Sequence, residues 1–172
     1  LMEEVEVERL YLPDVPCATD MKERLTEQWH HKALMVKTDV VLDIPDGKLS
    51  IFAPELNTTE NDSSLCILFQ TQDCDILITG DRSTNGEKLL LERVQLPKLE
   101  ILIVGHHGSK YSSHEDFLAA VRPEVGIISV GDNSYGHPTA EAIERLEAVG
   151  AVVRRTDEEG DITIYGGEED GR

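Results

Sequence analysis

Residues 101–110 read Ile-Leu-Ile-Val-Gly-His-His-Gly-Ser-Lys, and no other stretch limits the fold as much. Four consecutive apolar residues before a glycine predict a buried strand that stops at a tight turn. That turn delivers two imidazoles, a hydroxyl and an ammonium group at the carboxyl end of the strand. Residues 74–81 have the same form: Cys-Asp-Ile-Leu-Ile-Thr-Gly-Asp is an apolar strand closed by Gly80 and the carboxylate of Asp81. Two such strands, each ending in glycine and a metal-capable side chain, make a metal site the first expectation.

The N-terminal half predicts hairpins. Residues 7–12 alternate apolar and polar and then meet Pro13, a half-buried strand with a stop. Thr19 or Asp20 caps a helix through about His31, with Met21, Leu25 and Trp29 on one face. His30 and His31 fall at its end, where a cationic imidazole suits the helix dipole, and they are given a structural role. Strands are expected over 34–36, 40–44 and 48–52, with Asp46-Gly47 as the turn between the last two. Residues 55–62 predict a loop. Residues 64–70 and 75–79 predict a second hairpin, apolar enough for burial on both faces. In it Cys66 falls opposite about Thr79 and Cys74 opposite about Thr71, so no disulfide between them is expected.

The C-terminal half alternates helix and strand: helix 87–94, strand 100–104, a helix opened by a capping box of Ser112-Ser113 with Glu115-Asp116 and ended by Pro123, strand 125–130. Thr139 caps a further helix carrying Ile143, Leu146 and Val149 and closed by Gly150. Strands at 152–153 and 161–165 follow, then a flexible acidic tail over 166–172. The 172 residues suffice for one cored domain, placed at 1–165, of mixed α/β class with helices packed outside mixed sheets.

Asp81 binds or bridges metal, or is an ordinary turn aspartate. Adjacent histidines on an extended segment point to opposite sides, so one of the pair reaches a given metal. His106 is taken as that ligand and His107 as its supporting partner or a substrate contact. Gly108 and Ser109 offer a backbone N–H and a hydroxyl to an anionic oxygen, and Lys110 a positive charge. His137, in a Gly/Asn/Ser-rich loop after strand 125–130, is a proton donor, a phosphate contact or a structural histidine. Asn61, Ser63 and Ser64 stand at the entry to a buried strand, as candidates for orienting substrate or as a polar turn. The six histidines contain no His-x-His and no Asp-His pair. A hydrolytic metal site takes three or more protein ligands, so Asp81 and His106 alone do not complete one.

The formal net charge of −18 argues against a passive nucleic-acid binder, whose affinity rests on Lys and Arg. It does not exclude an enzyme that meets phosphate through metal ions. No apolar run approaches the ~20 residues needed to span a bilayer. The start at Leu1, with no basic or apolar leader, leads to the expectation of a segment from a longer protein.

The strings 74–81, Ile103-Val-Gly-His-His-Gly-Ser-Lys-Tyr-Ser-Ser113, 125–130, Tyr135-Gly-His-Pro138 and 154–164 resemble, in order, the C-terminal metallo-β-lactamase-fold domain of ComEC-type competence proteins. These are membrane proteins of bacterial DNA uptake, and the likeness runs from about residue 7 to 164. It implies an αββα sandwich with a metal site at the sheet edges, in which Asp81 matches the bridging aspartate and His106 the late histidine. The early ligands of that fold sit on a His-x-(His/Asp)-x-Asp-His loop. The chain is expected to lack this loop and the N-terminal strands, with Leu1–Val5 as the end of the helix after it. Members often read Tyr-Gly-His-Pro-His, where this chain has Thr139, and many carry a histidine near 61–64, where it has none.

The resemblance further implies a metal-dependent phosphodiesterase or nuclease using zinc or manganese, with DNA as substrate and His137 or Ser109 assisting the leaving oxygen. The isolated chain is expected to be inactive, and the domain soluble and extracytoplasmic, inserting nothing into the membrane. Missing strands would leave an open sheet edge, which invites a dimer. Two other readings stand beside this one: a degenerate, non-catalytic module for DNA positioning or assembly, and a free-standing hydrolase of small esters.

Overall fold

The apolar runs form strands close to where alternation and turn residues place them, in a computed structural model that describes residues 6–16, 20–55, 59 and 61–165. The expected helix end at Leu1–Val5, Cys17, the Thr19 cap, most of the 55–60 loop and the 166–172 tail lie outside the described residues. β1 (Leu10–Pro13) pairs in parallel with β2 (Ala33–Val36), and α1 (Met21–Gln28) connects them. Asp20 is the N-cap residue of α1 but makes no side-chain capping bond, and no residue of α1 is buried. His30 and His31 lie ring against ring just beyond it, 3.5 Å apart.

Next come β3 (Val40–Ile44), β4 (Gly47–Phe52), β5 (Cys66–Thr71) and β6 (Asp75–Ile78), an antiparallel meander. Asp46 turns the first hairpin with φ of 61°. Cys66 and Cys74 are free thiols, and the Cys66 Sγ faces the Thr79 carbonyl, as the register requires. The chain continues with α2 (Thr84–Arg93), β7 (Ile101–Ile103), α3 (Glu115–Val121), β8 (Val125–Ile128), α4 (Ala140–Ala148), β9 (Val152–Arg155) and α5 (Thr156–Glu159). β3 to β9 form one seven-stranded sheet in sequence order, and β6 to β9 run parallel.

Register partners share a face of the sheet. Leu68, Leu77 and Leu102 are in register and fully buried, under Leu90 of α2, Phe117, Leu118 and Val121 of α3 and Leu146 of α4. Gly126 lies in the same row, and a Cβ there would come within 3.1 Å of Leu146. The other face carries Ile67, Ile78, Ile103 and Ile127 in register. These four belong to neither core cluster, and Ile78 is 38% exposed. The hairpin 66–78 is therefore buried on one face and not on both as its composition predicts. Among the described residues the helices α2 to α4 supply core to one side only. The opposite side is covered at its β3–β4 end, where Val36, Ile51 and Ala53 cluster with Tyr11, Val40, Leu42 and Leu49.

Two local expectations are corrected. α3 has no capping box from Ser112 or Ser113; its N-cap is His114, whose Nδ1 accepts from the Asp116 N–H. Both serines are fully buried, and the Ser112 hydroxyl is taken by the carbonyls of Gly105 and Ser109. Residues 161–165 form no strand. The chain turns at Gly160 with φ of 72°, after Arg154 and Arg155 have paired with Asp157, Glu158 and Glu159 in the short α5.

Candidate functional site

β6, β7 and β8 run in the same direction, so the loops after them leave from one edge of the sheet. That carboxyl edge is where open α/β sheets bind ligands. β5 runs the other way, which brings residues 61–65 to the same edge. Asp81, His106, His107, Ser109 and His137 are thus gathered by topology, with Asn61, Ser63 and Ser64 beside them.

After β7 the chain does not stay extended. His106 and His107 both take left-handed backbone, with φ of 50° and 53°, and Gly108 follows at 76°. The residues form a tight turn over Gly105–Gly108, closed by the Ser109 N–H donating to the His106 carbonyl at 3.0 Å. The extended geometry expected for the two histidines is replaced by this turn. Left-handed backbone costs a non-glycine residue roughly 1–2 kcal/mol, and such strain is kept where the surroundings hold it. Here the Gly80 carbonyl accepts from the His106 N–H at 3.0 Å and the Ser112 hydroxyl donates to the Gly105 carbonyl at 2.8 Å, while Glu87 and Arg145 anchor the segment 110–114 that follows. Glu87 of α2 accepts from the N–H groups of Ser113 at 2.6 Å and His114 at 2.9 Å. Arg145 of α4 donates to the carbonyls of Lys110, Ser112 and Ser113 at 3.1, 2.8 and 2.9 Å.

The ring of His107 donates from Nδ1 to the Ser129 carbonyl at 2.7 Å. A carbonyl only accepts, so Nδ1 carries a proton, and Nε2 on the other side of the ring stands 3.9 Å from Oδ1 of Asp81. His106 turns toward His137 instead, edge to face with ring centres 5.7 Å apart. The Nδ1 atoms of His106 and His137 are both buried without a partner among the described residues. Burial, and then the neighbouring His106 and His107, hold the pKa of His137 below the ordinary histidine value.

A cleft of about 410 Å³ opens over these rings, lined among others by His106, Ser109, Lys110, Tyr111, Tyr135 and His137. Asp81 lies outside that lining. The Ser109 hydroxyl accepts from the Tyr111 N–H at 3.3 Å. Asn133 orders the third loop: its Oδ1 accepts from the N–H groups of Tyr135 and His137, and its Nδ2 donates to the carbonyls of Gly131 and His137. The Thr139 N–H donates to the Gly108 carbonyl at 2.9 Å, which locks the second and third loops together.

Ser64 accepts from the Asp81 N–H at 3.2 Å and so steadies that carboxylate. The Ser63 hydroxyl donates to the Thr59 carbonyl, and Asn61 is exposed. Beside them Asp62 is buried and accepts from the Ser83 N–H at 2.9 Å. Burial alone would raise its pKa, but hydrogen bonds from Ser83, Thr59 and Gly86 outweigh it and bring it below the ordinary aspartate value. Arg82, fully buried, ties the Asp81 turn to the carbonyls of Ala53 and Ser64. Sequence reasoning missed Asp62, Arg82, Glu87, Asn133 and Arg145. The one available signal was the Asn133-Ser-Tyr-Gly136 run, a pattern in which an asparagine side chain builds its own turn.

Among the described residues no three His, Cys, Asp or Glu side chains converge as a metal-binding group. Asp81, His106 and His107 offer a carboxylate and imidazole nitrogens, a donor set suited to zinc or manganese. A catalytic ion needs at least three ligands in one place, so the described residues do not by themselves fit a tightly held metal.

The profile of the Metallo-beta-lactamase superfamily matches residues 11–132. ComE operon protein 3 of Bacillus subtilis (strain 168) is 31% identical over 94% of this chain, which spans 22% of that protein. Recombination protein 2 of Haemophilus influenzae is 36% identical over 61% of the chain and 13% of its own length. Competence protein ComA of Neisseria gonorrhoeae is 37% identical over 59% of the chain and 15% of its own length. Among solved structures, a mutant of CmlA beta-hydroxylase superposes with a TM-score of 0.53 at 10% identity, over 86% of this chain and 38% of that one, which is a likeness of fold.

Proposed function

The chain belongs to the metallo-β-lactamase superfamily and is a domain of the ComEC competence type, and from that premise we propose that it serves bacterial DNA uptake as part of a metal-dependent phosphodiesterase acting on DNA. The observation that carries this reading is the placement of Asp81, the strained His106–His107 turn and His137 at one sheet edge, with the segment after the turn anchored by Glu87 and Arg145. Asp81 and His106 would be the ligands that the described residues offer, with His107 the imidazole nearer Asp81, and a complete site would need further ligands. A divalent zinc or manganese ion, when bound, supplies Lewis acidity and an activated water. Ser109 and Lys110 offer a hydroxyl and a positive charge to a phosphate oxygen, and His137 or Ser109 gives a proton to the leaving oxygen. Ser64 keeps Asp81 in place, while Asn61 and Ser63 form the rim that orients the strand. Residues 1–165 are taken as one domain with 166–172 as its tail, borne outside the cytoplasm by a membrane protein. Among the described residues no helix is long and apolar enough to cross a membrane.

The shortage of ligands has a direct consequence. Calorimetric titration of this chain with Zn²⁺ or Mn²⁺ should show weak binding, and its nuclease turnover should be at background. Tight one-to-one binding together with DNA hydrolysis by this chain alone would overturn the partial-site reading. The same shortage favours a second reading, a non-catalytic module that positions DNA or helps assembly. Asp81→Ala in the full-length protein separates the two: lost DNA degradation supports the enzyme, and degradation kept while uptake fails supports the module.

A further inference from the structure

The cleft over His106 and His137 carries two aromatic side chains that the fold does not use. Tyr135 is 81% exposed and Tyr111 is 64% exposed, although each is large enough to fill a core position. Neither sits on a loose segment. Asn133 pins the backbone on both sides of Tyr135, and the Tyr111 carbonyl accepts from the backbone N–H and side-chain hydroxyl of Thr84. The Tyr135 ring lies nearly parallel to that of His137, 16° between planes and 6.1 Å between centres. The Lys110 ammonium stands 5.1 Å from the centre of the Tyr111 ring. Aromatic faces held open on ordered loops beside a phosphate-competent pocket are what unpaired bases stack on.

We propose that Tyr135 and Tyr111 form a stacking platform that makes this cleft selective for single-stranded DNA over duplex. The proposal rests on the reading of the cleft as part of a DNA-processing site. Charge opposes any strand and so limits which contacts could hold one here. The chain carries −18, and among the residues lining the cleft Lys110 is the one Lys or Arg, set against Glu141. Phosphate contacts therefore contribute little attraction, and the binding free energy has to come from a contact that does not depend on opposite charge. Stacking is such a contact. It requires a base face that is not already covered by a neighbour in a duplex.

The test is fluorescence anisotropy of a labelled twelve-residue thymidine oligonucleotide with this chain, in EDTA so that neither metal nor hydrolysis enters. The single strand should bind at least about ten-fold tighter than the matching duplex, and an abasic oligonucleotide of equal length should lose the binding. Tyr135→Ala and Tyr111→Ala should each weaken it about 5- to 100-fold, and the Phe variants should hold it within about 2-fold. With one phosphate contact, affinity should fall only about 3-fold between 50 and 200 mM salt. Equal affinity for duplex and abasic strands, indifference to the Ala variants, or no binding (as expected if the platform contacts protein) would each overturn the proposal. Hydrolysis of a small phosphodiester without bases by the full-length protein reports on the enzyme reading separately, because it needs no stacking.

Discussion

Glu87 ties α2 to Ser113 and His114, in the segment after the histidine turn, and its burial gives it a pH signature. At 1% exposure its carboxylate is taken out of water, and burial pushes its pKa up to about 7 from an ordinary 4.5. The hydrogen bonds from His114 and Ser113 and the charge of Arg145 pull it back only in part. A raised folded-state pKa means that the folded chain holds the proton more tightly than the unfolded one. The stabilising contribution is full below about pH 4.5 and is lost as pH rises through about 7, by a few kcal/mol at most. Urea unfolding across that window should show the loss, and Glu87→Gln should flatten it while costing about 1–3 kcal/mol, because its amide cannot accept from both N–H groups. An unchanged pH slope in Glu87→Gln would remove Glu87 from this account. The position of Asp81 and His106 just past two strands was legible in the sequence because strand, glycine and side chain are adjacent. Glu87 and Arg145 were not, because the backbone groups they bind lie 26 to 35 residues away and nothing local marks the pairing.

The turn over Gly105–Gly108 is the element on which the site depends, and its geometry was misjudged from local pattern. Two apolar-flanked histidines read as a strand end, yet the chain turns left-handed at both, because the Gly80 carbonyl captures the His106 N–H and Ser112 captures the carbonyl of Gly105. Gly108 is required twice over. Its φ of 76° suits glycine, and a Cβ there would stand 2.7 Å from that of Pro138. Gly108→Ala should therefore cost about 2–4 kcal/mol and push the 135–139 loop away from the turn. Thermal unfolding measures the first effect. Loss of contacts between the His106 and His137 ring protons in NMR measures the second. A variant of native stability with those contacts intact would show that the loops are not coupled through Gly108. The capping box at Ser112-Ser113 failed for a related reason: both serines are buried, the Ser112 hydroxyl went to the turn carbonyls, and the exposed His114 was left to cap α3.

At the scale of the molecule the sheet is lopsided. α2 to α4 bury one face, while Ile67, Ile78, Ile103 and Ile127 line the other outside both core clusters. An apolar stripe of this kind favours association, and among the described residues no strand pairs with the outer side of β3 or β9 at the ends of the sheet. The charge of −18 opposes it through repulsion that salt screens. Sedimentation should therefore show self-association that grows with concentration and salt and that Ile78→Lys reduces; a monomer at every salt concentration would contradict this. By itself the sequence determined the order and type of nearly all elements, the glycine-ended strands that aim Asp81 and His106 at one edge, and the family. These follow from signals within a few residues, periodicity and turn chemistry, and from quoted motifs. Only the tertiary structure decided which face of each strand is covered, which way the histidine rings point, and which distant charges anchor the segment after their turn. Burial and hydrogen-bond partners are settled between segments that meet only when the sheet is assembled.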